Sequence, residues 1–469
     1  MSIVLSHGYF IQEDEKEQEI MRPYPPLGLL YISAYLKQSG FKTKVFDSTF
    51  ETKKNQRAFL QADPPEILAL YVNMMTKVNV LELMKWMRSV DELAATKIIL
   101  GGPDVTYNIE DYLREGADFV VFGEGEESCR ELVQAISLRN PWMEDIAGIA
   151  YINGLGEVQK NKPREKIRDI DVLPLPDREA INLHQYMDVW KSKHGQNAIS
   201  VSTQRGCPYT CKWCSTAVYG QSYRRRSPHM VARELKYLKE DYRPDTIWFV
   251  DDVFSVSHQW LAEFRDEVIE QDAIIPFECI TRADRLNEEV LDMLKAAGCF
   301  RVWIGAESGS QRIIDAMDRR VKVENVRDMI VQARKRGLEA GTFIMLGYPG
   351  ETQKDIEETV HHLKTAAPDH FTITIAYPIK GTGLFEEVEA KQTTNLNWAE
   401  STDRDRDFER SYPRDYYPWA VRWVVNEVNL SKQKSVGSQF NLRKLRMSLV
   451  SRFSKWKMDQ ISKKVGESV

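Results

Sequence analysis

The stretch RGCPYTCKWC, residues 205–214, places three cysteines within eight positions, directly after an apolar segment at 199–203 that is typical of a strand. Spacings of three and two intervening residues let three thiolates surround one face of a metal cluster, and soft sulfur ligands suit iron–sulfur chemistry. Because only three ligands lie nearby, one metal position stays open for an exogenous ligand, as in catalytic metal sites. We therefore predict a [4Fe–4S] cluster held by Cys207, Cys211 and Cys214.

Two other uses of these cysteines stay open at this point: a zinc knuckle and a redox pair. Zinc needs a fourth cysteine or histidine close by, and the nearest downstream candidate, His229, stands in a different context. Of the remaining cysteines, Cys279 and Cys299 lie on or beside apolar strands, where we expect them to act as small buried hydrophobic residues.

A series of alternating strands and helices runs outward from the cysteine stretch to about residue 385. Six repeated units of strand and helix predict an open or partial βα barrel rather than a closed eight-stranded one. The predicted strands lie at 199–203, 246–250, 277–281, 301–304, 341–345 and 371–375.

Four further motifs follow the strands of this series: FVDDVF (249–254), GAESGS (305–310), LGYPGET (346–352) and YPIKGT (377–382). In this order and spacing, the set resembles the radical S-adenosylmethionine (radical SAM) superfamily. The resemblance implies that SAM chelates the open iron and is cleaved to a 5′-deoxyadenosyl radical. It assigns SAM binding to Trp213, Asp251, Glu307, Ser308 and Gly347. By type and position, Arg282 and Arg301 are candidates for the SAM carboxylate, and no residue is assigned a catalytic role.

Residues 1–140 also alternate strands with helices, which predicts a doubly wound, Rossmann-like parallel sheet. Glycines that directly follow strands lie at the carboxyl ends, where such sheets bind ligands. No GxGxxG follows the first strand, which argues against a dinucleotide site. The glycine-rich strand ends resemble the cobalamin-binding domain of B12-binding radical SAM enzymes, a group that includes the anaerobic magnesium-protoporphyrin cyclases and cobalamin-dependent methylases. The implied cobalamin contacts are Gly28, Asp47, Gly101, Gly102, Asp104, Gly123 and Gly125.

The sequence departs from B12-binding proteins at two places. None of its eight histidines stands in a DxHxxG motif, which supplies an axial imidazole in other B12 enzymes, so no histidine is expected below the cobalt. Asp104 follows Gly-Gly-Pro where the family usually has histidine. A radical SAM enzyme with a vestigial B12 domain therefore stays open as an alternative.

The predicted domains are a cobalamin-binding domain (1–140), a proline-punctuated linker (141–190), a radical SAM domain (191–392) and a helical C-terminal region (393–469). In the last region, Leu442, Leu445, Leu449, Phe453 and Trp456 recur every three or four residues among lysines and arginines, which predicts a basic amphipathic helix.

The charge is distributed unevenly along the 469 residues. Ten of the 64 basic and two of the 69 acidic residues lie at 430–469, so this segment carries +8 and the rest of the chain −13. Such a segment indicates an anionic partner. Two interpretations stay open: the helix contacts an anionic membrane surface, or it covers the barrel and faces solvent with its lysines. Nucleic acid is suggested by charge alone and has no other support.

Composition limits the class of protein. A hydrophobic share of 42% with 28% charged residues is typical of a globular chain, and no apolar run reaches eighteen residues. The early acidic run at 13–17 is the reverse of a signal peptide's basic start, so we expect a cytoplasmic location, peripheral to a membrane through the basic helix.

Together these observations predict a cobalamin-dependent radical SAM enzyme that acts on an unactivated carbon. Its reaction is methyl transfer or oxidative cyclisation, its substrate a large hydrophobic molecule, and its electron donor a flavodoxin or ferredoxin. A non-catalytic iron–sulfur redox or sensor protein is the alternative outside the enzymes, although such a protein would have no use for the residues assigned to SAM.

Overall fold

A computed structural model describes residues 1–139, 143–216, 218–434 and 442–466. Contacts divide the chain into two compact units. The first comprises residues 1–208, 216–248 and 396–403, and the second comprises 209–215, 249–395 and 404–469. None of the described helices is both long enough and apolar enough to cross a membrane.

The first unit is built on a seven-stranded sheet with the order β2-β1-β3-β4-β5-β6-β7. The first five strands run parallel, whereas β6 and β7 are added antiparallel. The strands are β1 (Ile3–His7), β2 (Thr43–Phe46), β3 (Ile67–Tyr71), β4 (Lys97–Gly101), β5 (Phe119–Val121), β6 (Ile149–Ile152) and β7 (Val158–Lys160).

Alternate side chains of these strands enter two separate cores, because successive residues of a strand point to opposite faces of its sheet. On β4, Ile98 and Leu100 join one core, while Ile99 joins the other. A sheet buried on both faces needs helices on both faces. Those around it are α1 (Glu15–Ile20), α2 (Leu27–Gln38), α3 (Lys53–Ala62), α4 (Lys77–Arg88), α5 (Ile109–Arg114), α6 (Gly125–Ser137) and α7 (Leu183–His194).

The second sheet has six strands in the order β15-β14-β13-β12-β11-β8. Two short strands, β9 and β10, lie between β8 and β11 in the chain and form a separate antiparallel pair. Strands β12 to β15 pair in parallel. The strands are β8 (Ala198–Val201), β9 (Gln204–Arg205), β10 (Arg224–Arg225), β11 (Thr246–Phe249), β12 (Phe277–Thr281), β13 (Cys299–Glu307), β14 (Glu339–Leu346) and β15 (His370–Ile375).

Helices alternate with these strands, and two long helices close the chain and pack against each other. In the second unit, an aromatic cluster of Phe249, Phe254, Phe264 and Phe277 fills part of the core. The helices are α8 (Pro228–Asp241), α9 (His258–Glu270), α10 (Glu288–Ala296), α11 (Gln311–Ala316), α12 (Val323–Lys335), α13 (Gln353–Ala366), α14 (Gly383–Val388), α15 (Tyr416–Lys434) and α16 (Leu442–Gly466).

The predicted fold class is confirmed: a doubly wound parallel sheet, a six-stranded partial barrel and a helical C-terminal region. The predicted domain boundaries remain a prediction, and the one at 140/141 lies outside the described residues. Within the predicted linker, residues 149–160 form β6 and β7 and extend the first sheet.

Candidate active site

The cysteine loop leaves β9 through Gly206, whose φ of +79° is a left-handed conformation. A side chain there would also collide with Ser222, so glycine is required on two grounds. Cys207 is buried, Cys211 is half-buried and Cys214 is exposed, and none of the three forms a disulfide among the described residues. In the described part of the chain, no three cysteine, histidine or acidic side chains stand close enough to hold a metal ion.

Two guanidinium groups face the sulfur of Cys211 in the second unit. Arg282 Nη1 lies 3.6 Å and Arg319 Nη1 lies 3.8 Å from Cys211 Sγ. Arg282 follows β12 and is held by Asp284 at 2.9 Å and by the ring of Tyr209 at 3.9 Å. Positive charge beside a sulfur suits an anionic thiolate ligand, so this environment fits the sulfur donor of an iron–sulfur cluster.

Arg319 connects Cys211 to the end of β13. Its Nη2 donates to the carbonyl of Gly305 at 2.8 Å and lies 3.7 Å from Glu307 Oε1. A second contact fixes its backbone, since Arg282 Nη2 donates to the Arg319 carbonyl at 2.7 Å. Arg319 therefore joins the cysteine loop to the strand end that the sequence assigned to SAM. The sequence analysis missed Arg319, because it stands in the loop after a short helix, away from any strand end.

Glu307 sits at an irregular point of its strand. The register of β13 against β14 shifts between Gly305 and Glu307, and Glu307 has a φ of +63°. Such bulges redirect side chains and recur beside active sites. Burial raises the pKa of the Glu307 carboxyl, while Arg319 and Arg282 oppose that rise. The result is a buried acid beside two cations, able to accept a hydrogen bond from an ammonium or hydroxyl group.

The other residues assigned to SAM lie in different surroundings. Trp213 packs on an apolar cluster of the second unit and carries the Arg319 guanidinium 5.6 Å from its ring centre. Asp251 is buried directly after β11, and its charge adds to burial in raising the pKa of Asp252. Ser308 is also buried, where its hydroxyl accepts from the Ser310 N–H at 3.1 Å.

Gly347 uses both of its backbone polar groups within the protein. Its N–H donates to Glu351 at 2.5 Å, and its carbonyl accepts from Arg410 at 3.1 Å. With a φ of +81°, Gly347 shapes the turn after β14. The Gly347 N–H is therefore already used within the protein, whereas its carbonyl oxygen keeps a second lone pair.

Arg301 is wrong as a candidate for the SAM carboxylate. It stands early in β13, at the end opposite Glu307, and pairs with Glu278 at 3.0 Å and Glu339 at 2.6 Å. These acids begin the neighbouring strands, so Arg301 is a structural cation of the amino-terminal edge. Arg282 is the arginine that the fold places at the carboxyl edge.

At the carboxyl edge of the first sheet, Asp47 is bound internally. It contacts His7 Nε2 at 3.0 Å and accepts from Tyr186 Oη at 2.7 Å. Burial opposes ionisation of the Asp47 carboxyl, but the hydrogen bonds from His7 and Tyr186 lower its pKa. His7 Nδ1 meanwhile lies 3.2 Å from the Tyr9 N–H. Because both ring nitrogens are engaged, the histidine at the end of β1 is not available as a ligand for cobalt.

The glycines assigned to cobalamin differ in the space around them. An added Cβ at Gly101 would meet only the Val121 carbonyl at 3.8 Å, and at Gly123 it would meet no described atom within 4 Å. Gly101 ends β4 and Gly123 follows β5, so open space lies at two neighbouring strand ends. Such space fits a ligand that approaches the backbone closely, as a corrinoid or its nucleotide tail would.

The remaining three glycines are packed. A Cβ added at Gly28 or at Gly102 would lie 3.5 or 3.1 Å from the ring of Tyr71, at the end of β3. Gly102 also has a φ of +115°, so its turn requires glycine. Gly125 begins α6, and a Cβ added there would lie 3.2 Å from Ile32 Cδ1.

Asp104 is engaged on its own side of the loop. Its carboxylate accepts from the Tyr112 hydroxyl and from Asn108. Burial raises the pKa of Asp104, with a further contribution from Asp403, against the opposing hydrogen bonds and Lys77. The aspartate that replaces the expected histidine therefore binds Tyr112 of helix α5 and Asn108, the residue just before that helix, rather than pointing freely into solvent.

A buried ionic cluster in the first unit was not predicted. Arg205, two positions before Cys207, pairs with Glu126 and lies 3.5 Å from Glu124. Glu124 also pairs with Arg224 of β10. The sequence analysis used only the two glycines of the GEGE motif at 123–126, but its two glutamates bind Arg205 and Arg224 on the strands next to the cysteine loop.

Comparison with known proteins agrees with this arrangement. The Radical SAM superfamily model matches residues 201–363, and the B12 binding domain model matches residues 19–133. The chain therefore carries a B12 binding domain followed by a radical SAM domain. Its cofactors are accordingly a [4Fe–4S] cluster, SAM and cobalamin.

Relatives and solved structures extend the similarity over most of this B12-binding radical SAM chain. An uncharacterized methyltransferase of Pyrococcus horikoshii is 29% identical over 388 residues, which cover 81% of this chain and 82% of the relative. The anaerobic magnesium-protoporphyrin IX monomethyl ester cyclase of Rubrivivax gelatinosus is 25% identical, covering 79% and 67%. The cobalamin-dependent SAM radical enzyme OxsB, solved with aqua-cobalamin and SAM, shares the fold with a TM-score of 0.72 at 17% identity, covering 98% of this chain and 71% of OxsB.

Proposed function

We propose that this B12-binding radical SAM enzyme is a methyltransferase that methylates an unactivated carbon of a large hydrophobic substrate. The observation that carries the proposal is the pair of ligand edges on one chain: the Cys211–Arg319–Glu307 junction in one unit and the open glycines of β4 and β5 in the other. Methyl transfer is favoured because the Pyrococcus relative, matched over most of both chains, is named a methyltransferase.

When bound, the cluster supplies the electron that cleaves SAM to a 5′-deoxyadenosyl radical, and cobalamin supplies a carrier for the methyl group. Cys207, Cys211 and Cys214 would hold the cluster through thiolates.

Arg282, Arg319 and Glu307 would orient SAM. The two guanidinium groups stabilise negative charge on the Cys211 sulfur and are placed to pair with a carboxylate. Glu307 offers an acceptor to the methionyl ammonium or a ribose hydroxyl, and its burial keeps competing water away. Asp251, Ser308 and Trp213 would complete the wall of this site as the resemblance implies.

Gly101 and Gly123 would admit cobalamin at the carboxyl edge of the first sheet, with Gly28, Gly102 and Gly125 shaping that edge. His7 is occupied by Asp47, so no histidine from β1 would bind cobalt. The comparisons favour neither a radical SAM enzyme with a vestigial B12 domain nor a non-catalytic sensor.

Reaction products test the proposal directly. The anaerobically reconstituted chain, given SAM, a reductant and a cobalamin supply, should form S-adenosylhomocysteine as well as 5′-deoxyadenosine when substrate is present. We propose a flavodoxin or ferredoxin as the natural reductant and the cytoplasm as the compartment, since an open iron site is sensitive to oxygen. If the reconstituted protein formed neither of these two nucleoside products, that result would contradict an enzyme function.

Oxidative cyclisation is the second candidate, supported by the cyclase relative of Rubrivivax. The same experiment separates the two reactions. Substrate-dependent 5′-deoxyadenosine without S-adenosylhomocysteine, and a product that has lost hydrogen without gaining a methyl group, would favour the cyclase.

A further inference from the structure

Helix α16 exposes an apolar stripe, although Phe453 of this stripe also packs edge-to-face on Trp419 of α15, with 5.6 Å between the ring centres. The exposed fractions are 76% at Leu442, 45% at Leu445, 58% at Leu449, 49% at Phe453 and 49% at Trp456. At 3.6 residues per turn, these positions fall within roughly 80° of the helix circumference. Five of the fifteen exposed large hydrophobic side chains among the described residues thus lie in one line on one helix.

The opposite face of α16 is held firmly in the second unit. Met458 and Ser454 are fully buried, and Ser451 donates to Glu427 of α15 at 2.8 Å. Gln353 of α13 donates to Asp459 at 2.9 Å, and Lys455 pairs with Glu357. The exposed stripe is therefore a fixed outer surface rather than a core face that awaits packing against the barrel.

Cations border the stripe on both sides. Arg446 and Lys457 lie along one flank, and Arg452 and Lys463 lie along the other. Lys457 Nζ lies 5.2 Å from the Trp456 ring and 5.8 Å from the Phe453 ring. From 442 to 466 the helix carries eight Lys and Arg against one Asp. Arg446, Arg452 and Lys463 pair with no acid in the ranges that the structure covers.

We propose that α16 lies flat on an anionic lipid bilayer, with its apolar stripe in the acyl boundary and its flanking cations among the headgroups. A narrow apolar stripe with an aromatic pair, bordered by Lys and Arg, offers the two contacts that interfacial helices make: apolar insertion and cationic contact with headgroups. Tryptophan favours the membrane–water boundary. A protein partner would need acidic groups around an apolar groove, whereas an anionic bilayer offers both chemistries continuously along 25 residues.

The test uses the full-length protein and vesicles of phosphatidylcholine, alone or mixed with phosphatidylglycerol. Co-sedimentation should show binding to the mixed vesicles that weakens as salt is raised, and little binding to phosphatidylcholine alone. Leu445→Gln with Leu449→Gln should reduce the partition coefficient by at least about tenfold, because two inserted side chains are lost. The matched control, Leu138→Gln with Leu155→Gln, removes leucines that are 69% and 83% exposed elsewhere and should leave binding unchanged.

Charge is tested separately. Arg446→Gln, Arg452→Gln and Lys463→Gln together should reduce partition into the mixed vesicles by about a hundredfold, at roughly fivefold per cation. The control removes three exposed lysines elsewhere, Lys54, Lys236 and Lys335, and should have no effect.

Failure of the unaltered protein to bind the mixed vesicles would overturn the proposal. The stripe would then serve another partner: a leucine-dependent dimer in light scattering would identify a second copy of this chain. An equal loss of vesicle binding in the stripe variant and in its control would also overturn the proposal. Iron content and nucleoside products should be unchanged in every variant, so this outcome is independent of the proposed reaction.

Discussion

Replacing Glu126 by Gln removes one charge from the buried ionic cluster in front of the cysteine loop. Arg205 and Glu126 side chains are only 7% and 6% exposed, and Arg205 Nη1 donates to Glu126 Oε2 at 3.2 Å. Breaking a buried pair by removing one partner costs about 3–5 kcal/mol. Glu124 remains 3.5 Å from Arg205, so we expect the lower end, about 3 kcal/mol.

The matched control is Glu110→Gln, which breaks a pair with Arg114 whose side chains are both 60% exposed. An exposed pair at i,i+4 contributes only about 0.3 kcal/mol. For units of this size, 1 kcal/mol shifts the melting temperature by about 2–4 °C, so thermal unfolding should show a drop of about 6–12 °C for Glu126→Gln and about 1 °C for the control. Equal shifts in the two variants would refute the buried cluster as a stabilising feature.

A second readout links this cluster to the cofactor. Arg205 stands two positions before Cys207, so a loosened Arg205 should loosen the first cluster ligand. Iron retained after gel filtration should fall in Glu126→Gln and stay unchanged in Glu110→Gln. Unchanged iron in both variants would leave Glu126 a purely structural residue.

Three other substitutions give distinct outcomes. Cys211→Ala should abolish the iron–sulfur absorption band after reconstitution, whereas Cys279→Ala, at a fully buried strand position, should retain it; an intact band in Cys211→Ala would contradict the ligand assignment. Gly101→Ala should weaken cobalamin binding at unchanged stability, because the added Cβ meets only one protein atom, at 3.8 Å. The control Gly154→Ala, where the added Cβ meets no described atom within 4 Å, should bind cobalamin normally. Equal affinity of the two variants in equilibrium dialysis would place the corrinoid elsewhere. Burial raises the pKa of Glu351 to about 8, so its contribution to stability is present below pH 4.5 and is lost as the pH rises through about 8. Glu351→Gln should remove up to about 5 kcal/mol of that pH dependence. If the melting temperatures of the two proteins changed in parallel between about pH 5 and pH 9, a buried neutral carboxyl at this position would be excluded.

The sequence was sufficient for the positions of many strands along the chain. Apolar runs such as 97–100 and 277–281, each followed by glycine or a charged residue, mark strand ends in a parallel sheet, and the structure has strands there. Periodicity also predicted α16. It did not tell which face of that helix would be buried: the serine and methionine face packs inward, and the leucine face is exposed.

Pairings between distant segments were beyond sequence reasoning. Glu124 and Glu126 had the appearance of loop acids, yet they meet arginines about eighty to a hundred positions later. Asp47 was expected to face a ligand but is held by His7 and Tyr186. Arg301 and Arg282 are both arginines of neighbouring parallel strands. Arg301 lies near the amino end of its strand and Arg282 follows the carboxyl end of its strand, a difference that residue type does not show. Such contacts depend on three-dimensional register, which residue type alone does not encode.

The central claim is that one chain holds both metal cofactors, and their stoichiometry tests it most directly. The protein would be purified without oxygen in the presence of cobalamin, its cluster reconstituted, and its iron, cobalt and absorption spectrum measured. The account predicts about four irons and about one cobalt per chain with a corrinoid band. Iron at that level with no cobalt would contradict it, since the open edge at Gly101 and Gly123 would then hold no cobalamin.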